Sequence, residues 1–423
     1  MKFKTLTLLF FPLALLASKP SRALEIKLDG FLELSISSIE SDINTGTLAG
    51  QSHLNGGYGK FASQDTSIQV SHIAFSLNFD WDSNFSARFI SDGYLGSEKD
   101  GIGITEAYLK YRSLPNTLGF QTRSKLGIFY PKISLENIAV GWSTPFTLTP
   151  STQNSWLGQE VRHFGWEFEV ASLGKFHDSK FDHSISATLF THNDSNGALL
   201  AWQGWTQTSR QTLWTESIAL PNPQIREQGE ILQEQASQSS PFTEMDDRLG
   251  HHVTLKSKWN RRIELSVGTF DNNAKPYVLS KGNYGWHTKF EHLGAKIATK
   301  DGLRLIAQYM KGTTLMQSKA RQNIVYNDFD NWFLLLSKKI DNQHRFTLRY
   351  ERFSVGDMDY TENDDNAESG NAITLAYINQ LSSNYFLLLE LNHIESTRAS
   401  RLYDGGMLDN KEMQINLGIR YYL

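Results

Sequence analysis

Ionisable residues recur at alternate positions along many short segments of this 423-residue chain, and that spacing decides what chemistry they could do. Lys256 and Lys258 share one phase with Thr254. Arg345, Thr347, Arg349 and Glu351 share another. In an extended strand, positions i and i+2 lie on one face. Each segment therefore carries charge on one face and aliphatic or aromatic side chains on the other. The charged phase collects Arg88, Lys256, Lys258, Lys289, Arg304, Arg345, Arg349 and Arg420. It also collects Glu33, Glu106, Glu167, Glu169, Glu264, Glu291, Glu351 and Glu390, so the signs balance. Charges on a wet wall bias which ions approach it. Arg88, Lys256, Arg304 and Arg349 are the central basic positions and form a candidate anion-attracting ladder, with Glu106 and Glu264 as acidic counterparts. An Arg opposite a Glu on a neighbouring strand can equally be a structural pair.

Other chemistries find little support. There is no GxSxG elbow, HExxH pair or nucleotide-binding loop. His192-Asn193-Asp194-Ser195-Asn196-Gly197 loosely resembles the HxSNG motif of outer-membrane phospholipases. Here His and Ser are three apart, which places them on opposite faces of a strand, and the segment reads as a turn. The histidines are scattered, and His251-His252 falls on two faces, so no metal set and no cofactor is expected. The acidic run Asp357–Glu368 lacks the spacing and central Gly of an EF-hand and reads as a solvated loop.

The clearest of the elements that carry these charges is Glu412–Leu423. Met413, Ile415, Leu417, Ile419, Tyr421 and Leu423 alternate with Glu412, Gln414, Asn416, Gly418, Arg420 and Tyr422. One face is apolar throughout, which suits a sheet with lipid outside and water inside. About sixteen such strands follow in order, the first near Leu24–Ser38. Connections alternate, long after odd strands and short after even ones. That pattern predicts an all-β, closed antiparallel transmembrane barrel with short periplasmic turns, long extracellular loops and both termini periplasmic. An open edge in hydrocarbon would leave backbone groups unpaired, so the first and last strands must meet. A phase slip between Phe290 and Leu293 reads as a β-bulge. Outward aromatics gather at strand ends: Trp81, Phe85, Tyr111, Trp259, Tyr385 and Tyr421 at one, Tyr130, Tyr309 and Tyr350 at the other, as two girdles would. Two long stretches, Pro131–Leu157 and His192–Leu249, break the series.

Composition agrees. Hydrophobic content is 39% and Cys is absent. Low average hydropathy does not exclude membrane insertion, because a barrel gives lipid only every second residue. Met1–Ala23 has a basic start at Lys2 and Lys4, an apolar run and small residues at Ser21 and Ala23. It reads as a cleaved signal peptide, leaving one domain over 24–423. Losing Lys2, Lys4, Lys19 and Arg22 takes the formal charge from −4 to about −8, which argues against nucleic-acid binding.

The terminal GIRYYL, together with DNWFLLLSKKI (Asp330–Ile340) and HRFTLRYERFSV (His344–Val355), resembles strands of Gram-negative outer-membrane porins, in particular the porin O/P type. The resemblance implies a sixteen-stranded, water-filled channel for passive diffusion of small hydrophilic solutes, often a homotrimer. It implies lipid and lipopolysaccharide as surroundings, and barrel-assembly machinery that reads the last strand, whose usual Phe is here Leu423. It also implies a third external loop folded into the pore, here Pro131–Leu157, with Lys132 and Glu136 as its only charges. Glu136 joins Arg88, Glu106, Lys256, Glu264, Arg304, Arg349 and Glu351 as candidate pore-lining residues. The alternatives are a substrate-specific phosphate, anion or sugar channel, and a receptor or adhesion barrel relying on His192–Leu249.

Overall fold

The computed structural model describes residues 24–42, 54, 56–57, 67–81, 84–96 and 99–423; the expected signal peptide lies outside them. Sixteen antiparallel strands close into a barrel. The first eight are β1 (Glu25–Ser41), β2 (Ser67–Asp80), β3 (Phe85–Leu95), β4 (Gly101–Arg112), β5 (Phe120–Phe129), β6 (His163–Ser172), β7 (Phe181–Thr191) and β8 (Gly250–Trp259). The second eight are β9 (Ile263–Asp271), β10 (His287–Ala298), β11 (Leu303–Gln317), β12 (Asn323–Lys339), β13 (His344–Asp357), β14 (Glu368–Gln380), β15 (Tyr385–Arg398) and β16 (Asp409–Tyr422). Each strand pairs with its chain neighbours, and β1 pairs with β16 in the register Leu32↔Tyr421, Leu34↔Ile419 and Ile36↔Leu417. Arg420 and Glu33 lock that seam from inside at 2.6–2.7 Å.

The outer face is built by the expected alternation. Ile415, Leu417 and Ile419 of β16, and Leu334 and Leu336 of β12, are exposed while their neighbours are buried. At the short-turn rim, Phe85 packs on Tyr111 and Tyr385 on Tyr421, with ring centroids 5.0 and 4.8 Å apart. Two connections at the long-loop rim, 96–100 and 318–322, are themselves as short as the opposite turns.

Three expectations need correction. Strand β10 pairs with both neighbours without a register shift, so the bulge near Phe290 does not form. Phe290 and His292 simply point inward, and Lys289 and Glu291, read as lumen charges, face outward. The slip was an artefact of expecting a polar interior where it is apolar. Tyr130 belongs to no girdle. It is buried inside the barrel, stacked on Trp142 at 4.2 Å, because the chain has already turned inward at that point. The acidic run at 357–368 is not simply solvated. Asp357 accepts from the Asn366 amide and Asp359 from the Tyr326 amide, and Asp364 is buried, its carboxyl held well above the usual range by desolvation.

Candidate functional site

The interior is organised by two loops. The segment after β5 crosses the barrel and carries helix α1 (Thr152–Glu160), every residue of which is buried. Ser151 caps that helix by accepting from the Asn154 amide, which satisfies one of its unpaired donors. The loop touches the wall on several strands. The Leu135 amide donates to Gln308 Oε1 of β11, Leu148 and Thr149 amides to Glu390 of β15, and the Thr152 amide to Glu351 of β13. On the other side Gly141, at φ 64°, lies so close to β2 and β3 that a Cβ there would overlap Asp92 Oδ1.

The segment after β7 supplies the rest of the plug. Its helix α2 (Ala198–Gln203) is fully buried. Glu160 at the end of α1 accepts from Trp156 Nε1 (2.6 Å) and from the Gly197 and Leu199 amides (3.2 and 2.9 Å) at the start of α2, fastening one loop to the other. Burial pushes the Glu160 carboxyl up to about 7, against those donors, which favour the ionised form. Arg398 of β15 pairs with Glu368 and donates to the Ala201 carbonyl.

Between loops and wall lies an apolar core. Phe190, Phe270, Phe290, Phe329 and Phe353 project inward from β7, β9, β10, β12 and β13 to meet Trp156, Leu157 and Trp205. Phe190–Phe270–Phe290 stack at 5.0 and 4.6 Å, and Trp156 packs edge-on against Phe290 and Phe329. A smaller core joins Leu135 and Phe146 of the first loop to Ile306, Phe333 and Leu335. Aromatic pairs of this kind add about 0.5–1.5 kcal/mol each beyond the area they bury.

The eight candidate lining residues divide three ways. Arg349, Glu136 and Glu351 come together and are fully buried. Arg349 Nη1 lies 2.7 Å from Glu136 and its Nε 2.7 Å from Glu351, and it also donates to the Thr149 and Pro150 carbonyls. These are anchors for the loop and not solvated wall charges, so Arg349 is withdrawn from the expected ladder. Lys256, Glu264 and Arg304 instead face a vestibule of about 480 Å³ at the short-turn rim, shared with Arg123, Glu169, Asp182, Arg261, Arg262 and Lys296. Arg88 and Glu106 sit on β3 and β4, across the barrel, with Arg88 donating to Ser76 at 3.0 Å. A narrower polar cleft of about 70 Å³ runs along β1, β2 and β16, where Ser35, Ser37, Gln69, Gln414 and Asn416 face Thr208 and Ser209 of the second loop.

Charge in the vestibule is uneven. Glu264 takes both Lys256 (2.8 Å) and Lys258 (3.0 Å), and Glu169 takes Arg123 (2.8 Å). Among the described residues, Arg261, Arg262, Lys296 and Arg304 make no ion pair within 4.0 Å. Lys296, on the inward phase set by the outward Leu293, is an addition to the expected lumen charges. The remaining features are elsewhere. Ser195 donates to the Ser240 carbonyl and His192 packs on Phe164, so they form no nucleophile–base pair. Asp194, Glu244 and Asp246 cluster at the long-loop rim, and burial together with the two neighbouring acids raises Asp194 to about 7. His163, His252 and His292, far apart in sequence, meet on the inner wall.

The architecture is that of the outer-membrane porins. The outer membrane channel DcaP of Acinetobacter baumannii superposes with a TM-score of 0.54 at 12% identity, over 95% of this chain and 97% of that one. The anion-selective porin from Comamonas acidovorans gives 0.53 at 13%, over 95% and 100%. The trimer form of OmpT, an outer membrane protein of Vibrio cholerae, gives 0.54 at 8%, over 95% and 100%. At such identities the likeness establishes the fold. No family model matches the sequence, and no curated protein matches it.

Proposed function

We propose that the protein is an outer-membrane channel of narrow bore that favours small hydrophilic anions. The observation that carries this reading is the vestibule at the short-turn rim, where, among the described residues, Arg261, Arg262 and Arg304 make no ion pair within 4.0 Å and Lys296, opposite Glu264 on the neighbouring strand, makes none either. Charges of one sign lining a recess raise the local concentration of the opposite sign. The packed aromatic core favours a selective, low-conductance pore over a wide diffusion channel. The barrel fold supports an outer-membrane location, with the short turns facing the periplasm, the 1–23 leader removed on export, and lipid and lipopolysaccharide around the outer face. Assembly as a homotrimer rests on the trimeric Vibrio structure, and recognition by assembly machinery on the β16 pattern. Nothing in the pairing of His192 and Ser195 supports an enzyme.

Purified protein in planar bilayers, under a salt gradient, tests the proposal. A small conductance with an anion-preferring reversal potential is expected. Total absence of conductance, or cation preference, would overturn it.

A further inference from the structure

The vestibule at the short-turn rim is a cup in which cations outnumber carboxylates. Leu135 of the first loop stands over its inner end. A Cβ on Gly294 would lie 2.9 Å from Leu135 Cδ1, and Leu135 packs with the buried Ile306. Each charged wall position has a buried neighbour one inward step away: Thr254 beyond Lys256, Ser266 beyond Glu264, Gly294 beyond Lys296 and Ile306 beyond Arg304. Along β8–β11 the recess of about 480 Å³ therefore opens toward the short turns. Its three carboxylates are already engaged. Glu264 holds Lys256 and Lys258 at 2.8 and 3.0 Å, Glu169 holds Arg123 at 2.8 Å and also Lys132, and Asp182 accepts from the Gly174 amide at 2.8 Å.

The remaining cations reach the cup from three elements. Arg261 and Arg262 come from the β8–β9 turn, where Asn260 and Arg261 have φ of 49° and 58° and the Arg262 amide donates to the Trp259 carbonyl at 2.9 Å. Such a turn matches the twist of its strands and fixes where they restart. Arg304 stands at the foot of β11, opposite Ala298, and Lys296 stands opposite Glu264 on β9. We infer that this cup binds a compact oxyanion carrying three or more negative charges, phosphate or carboxylate, which enters from the short-turn side. Guanidinium forks suit oxyanions, because each can take two oxygens in one plane. A single monovalent ion would leave most of these cations unanswered, and a long polyanion would meet the closed inner end. Half-exposed charges are screened by salt, so the affinity falls as ionic strength rises. The inference rests on the anion-attracting reading of the vestibule, but binding in the cup needs no conduction.

Calorimetry on the intact folded barrel, in detergent at low salt, tests the inference with inorganic triphosphate, citrate and acetate. One triphosphate or citrate per chain is expected, bound about tenfold or more tightly than acetate, and the tighter of the two names the oxyanion. The R262Q/R304Q double variant should bind about tenfold more weakly. Ala298→Glu should do the same while retaining every cation, because it places a carboxylate in the recess. Lys300→Gln removes a cation of the same rim outside the recess and should change affinity less than about twofold. Unaltered circular dichroism certifies the fold of each variant. Wild-type binding no tighter than that of R262Q/R304Q and Ala298→Glu overturns the inference. So does acetate binding as tightly as triphosphate and citrate. A barrel that binds triphosphate without conducting keeps the cup and loses the channel. One that conducts with anion preference but binds neither probe keeps the channel and loses the cup.

Discussion

Two clusters of lumen charge each join two charged residues at i and i+2 on one strand to a carboxylate elsewhere, yet live in different solvents. In one, Arg349 and Glu351 stand two apart on β13 and meet Glu136, and all three side chains are inaccessible. In the other, Lys256 and Lys258 stand two apart on β8 and meet Glu264, with side chains 23%, 44% and 15% exposed. Strand alternation put both inside the barrel. What separates them is a loop: the 130–162 segment covers the first and leaves the second wet. A buried pair is a structural commitment, because removing one partner strands the other in low dielectric. A half-exposed pair is weak, and its charges remain available to a passing ion.

That contrast can be broken most directly at Arg349. Arg349→Met should leave Glu136 and Glu351 buried without a cation and destabilise the loop-closed form by about 3–5 kcal/mol. The readouts are a lower melting temperature in detergent, new protease cuts between residues 130 and 162, and a larger conductance. If Arg349→Met melts and conducts like wild type, the two clusters are equivalent and the anchor reading fails.

The vestibule should answer to a different assay. Replacing Arg304 and Lys296 together by Glu is expected to move the reversal potential toward cations, with little change in melting. Glu136→Gln, although it removes a lumen charge, should leave the reversal potential where it was. Selectivity that follows Glu136 and ignores Arg304 would invert the comparison.

A smaller effect comes from pH. Glu160 and Asp194 each have a folded value of about 7, raised above the ordinary carboxyl range of about 4. A raised acid favours the fold while protonated, so its contribution is complete below about pH 4 and lost as pH rises through about 7. Melting temperature should therefore rise as pH falls from 8 to 5, and Glu160→Gln should flatten that slope. An unchanged slope in that variant would remove Glu160 from the account. Least of all is expected from Lys256→Met. Glu264 keeps Lys258, and the loss should stay below about 1 kcal/mol and shrink further in high salt.

Much of the barrel could be read directly from the chain, because lipid imposes a local rule. Ile415, Leu417 and Ile419 must face hydrocarbon wherever the rest of the protein goes, so strand number, phase and closure follow from neighbours two apart. The inside obeys no such rule. Whether Arg349 sees water depends on Glu136, which is 213 residues away. The assumption of a polar interior also misplaced Lys289 and Glu291, because Phe290 looked like an error in the pattern. A signal was present: Phe190, Phe270, Phe329 and Phe353 all occupy the otherwise polar phase near the same rim. Aromatics repeated there call for something apolar to cover them, and the loops rich in Trp were the available cover. The histidine patch left no comparable trace, since it depends on Gly268 letting two non-adjacent strands touch.

The seam between β1 and β16 has a bearing on how the molecule is made. Glu33 and Arg420, its inner lock, are 387 residues apart. Bringing such distant points together costs about 5 kcal/mol of chain entropy, growing only as the logarithm of separation. No nearer contact can substitute, and until the last strand arrives both edges carry unpaired N–H and C=O groups. Sheet growth along the chain can proceed hairpin by hairpin, but sealing is a single late event of the highest contact order. The ring is closed by the first and last strands of the barrel, Glu25–Ser41 and Asp409–Tyr422.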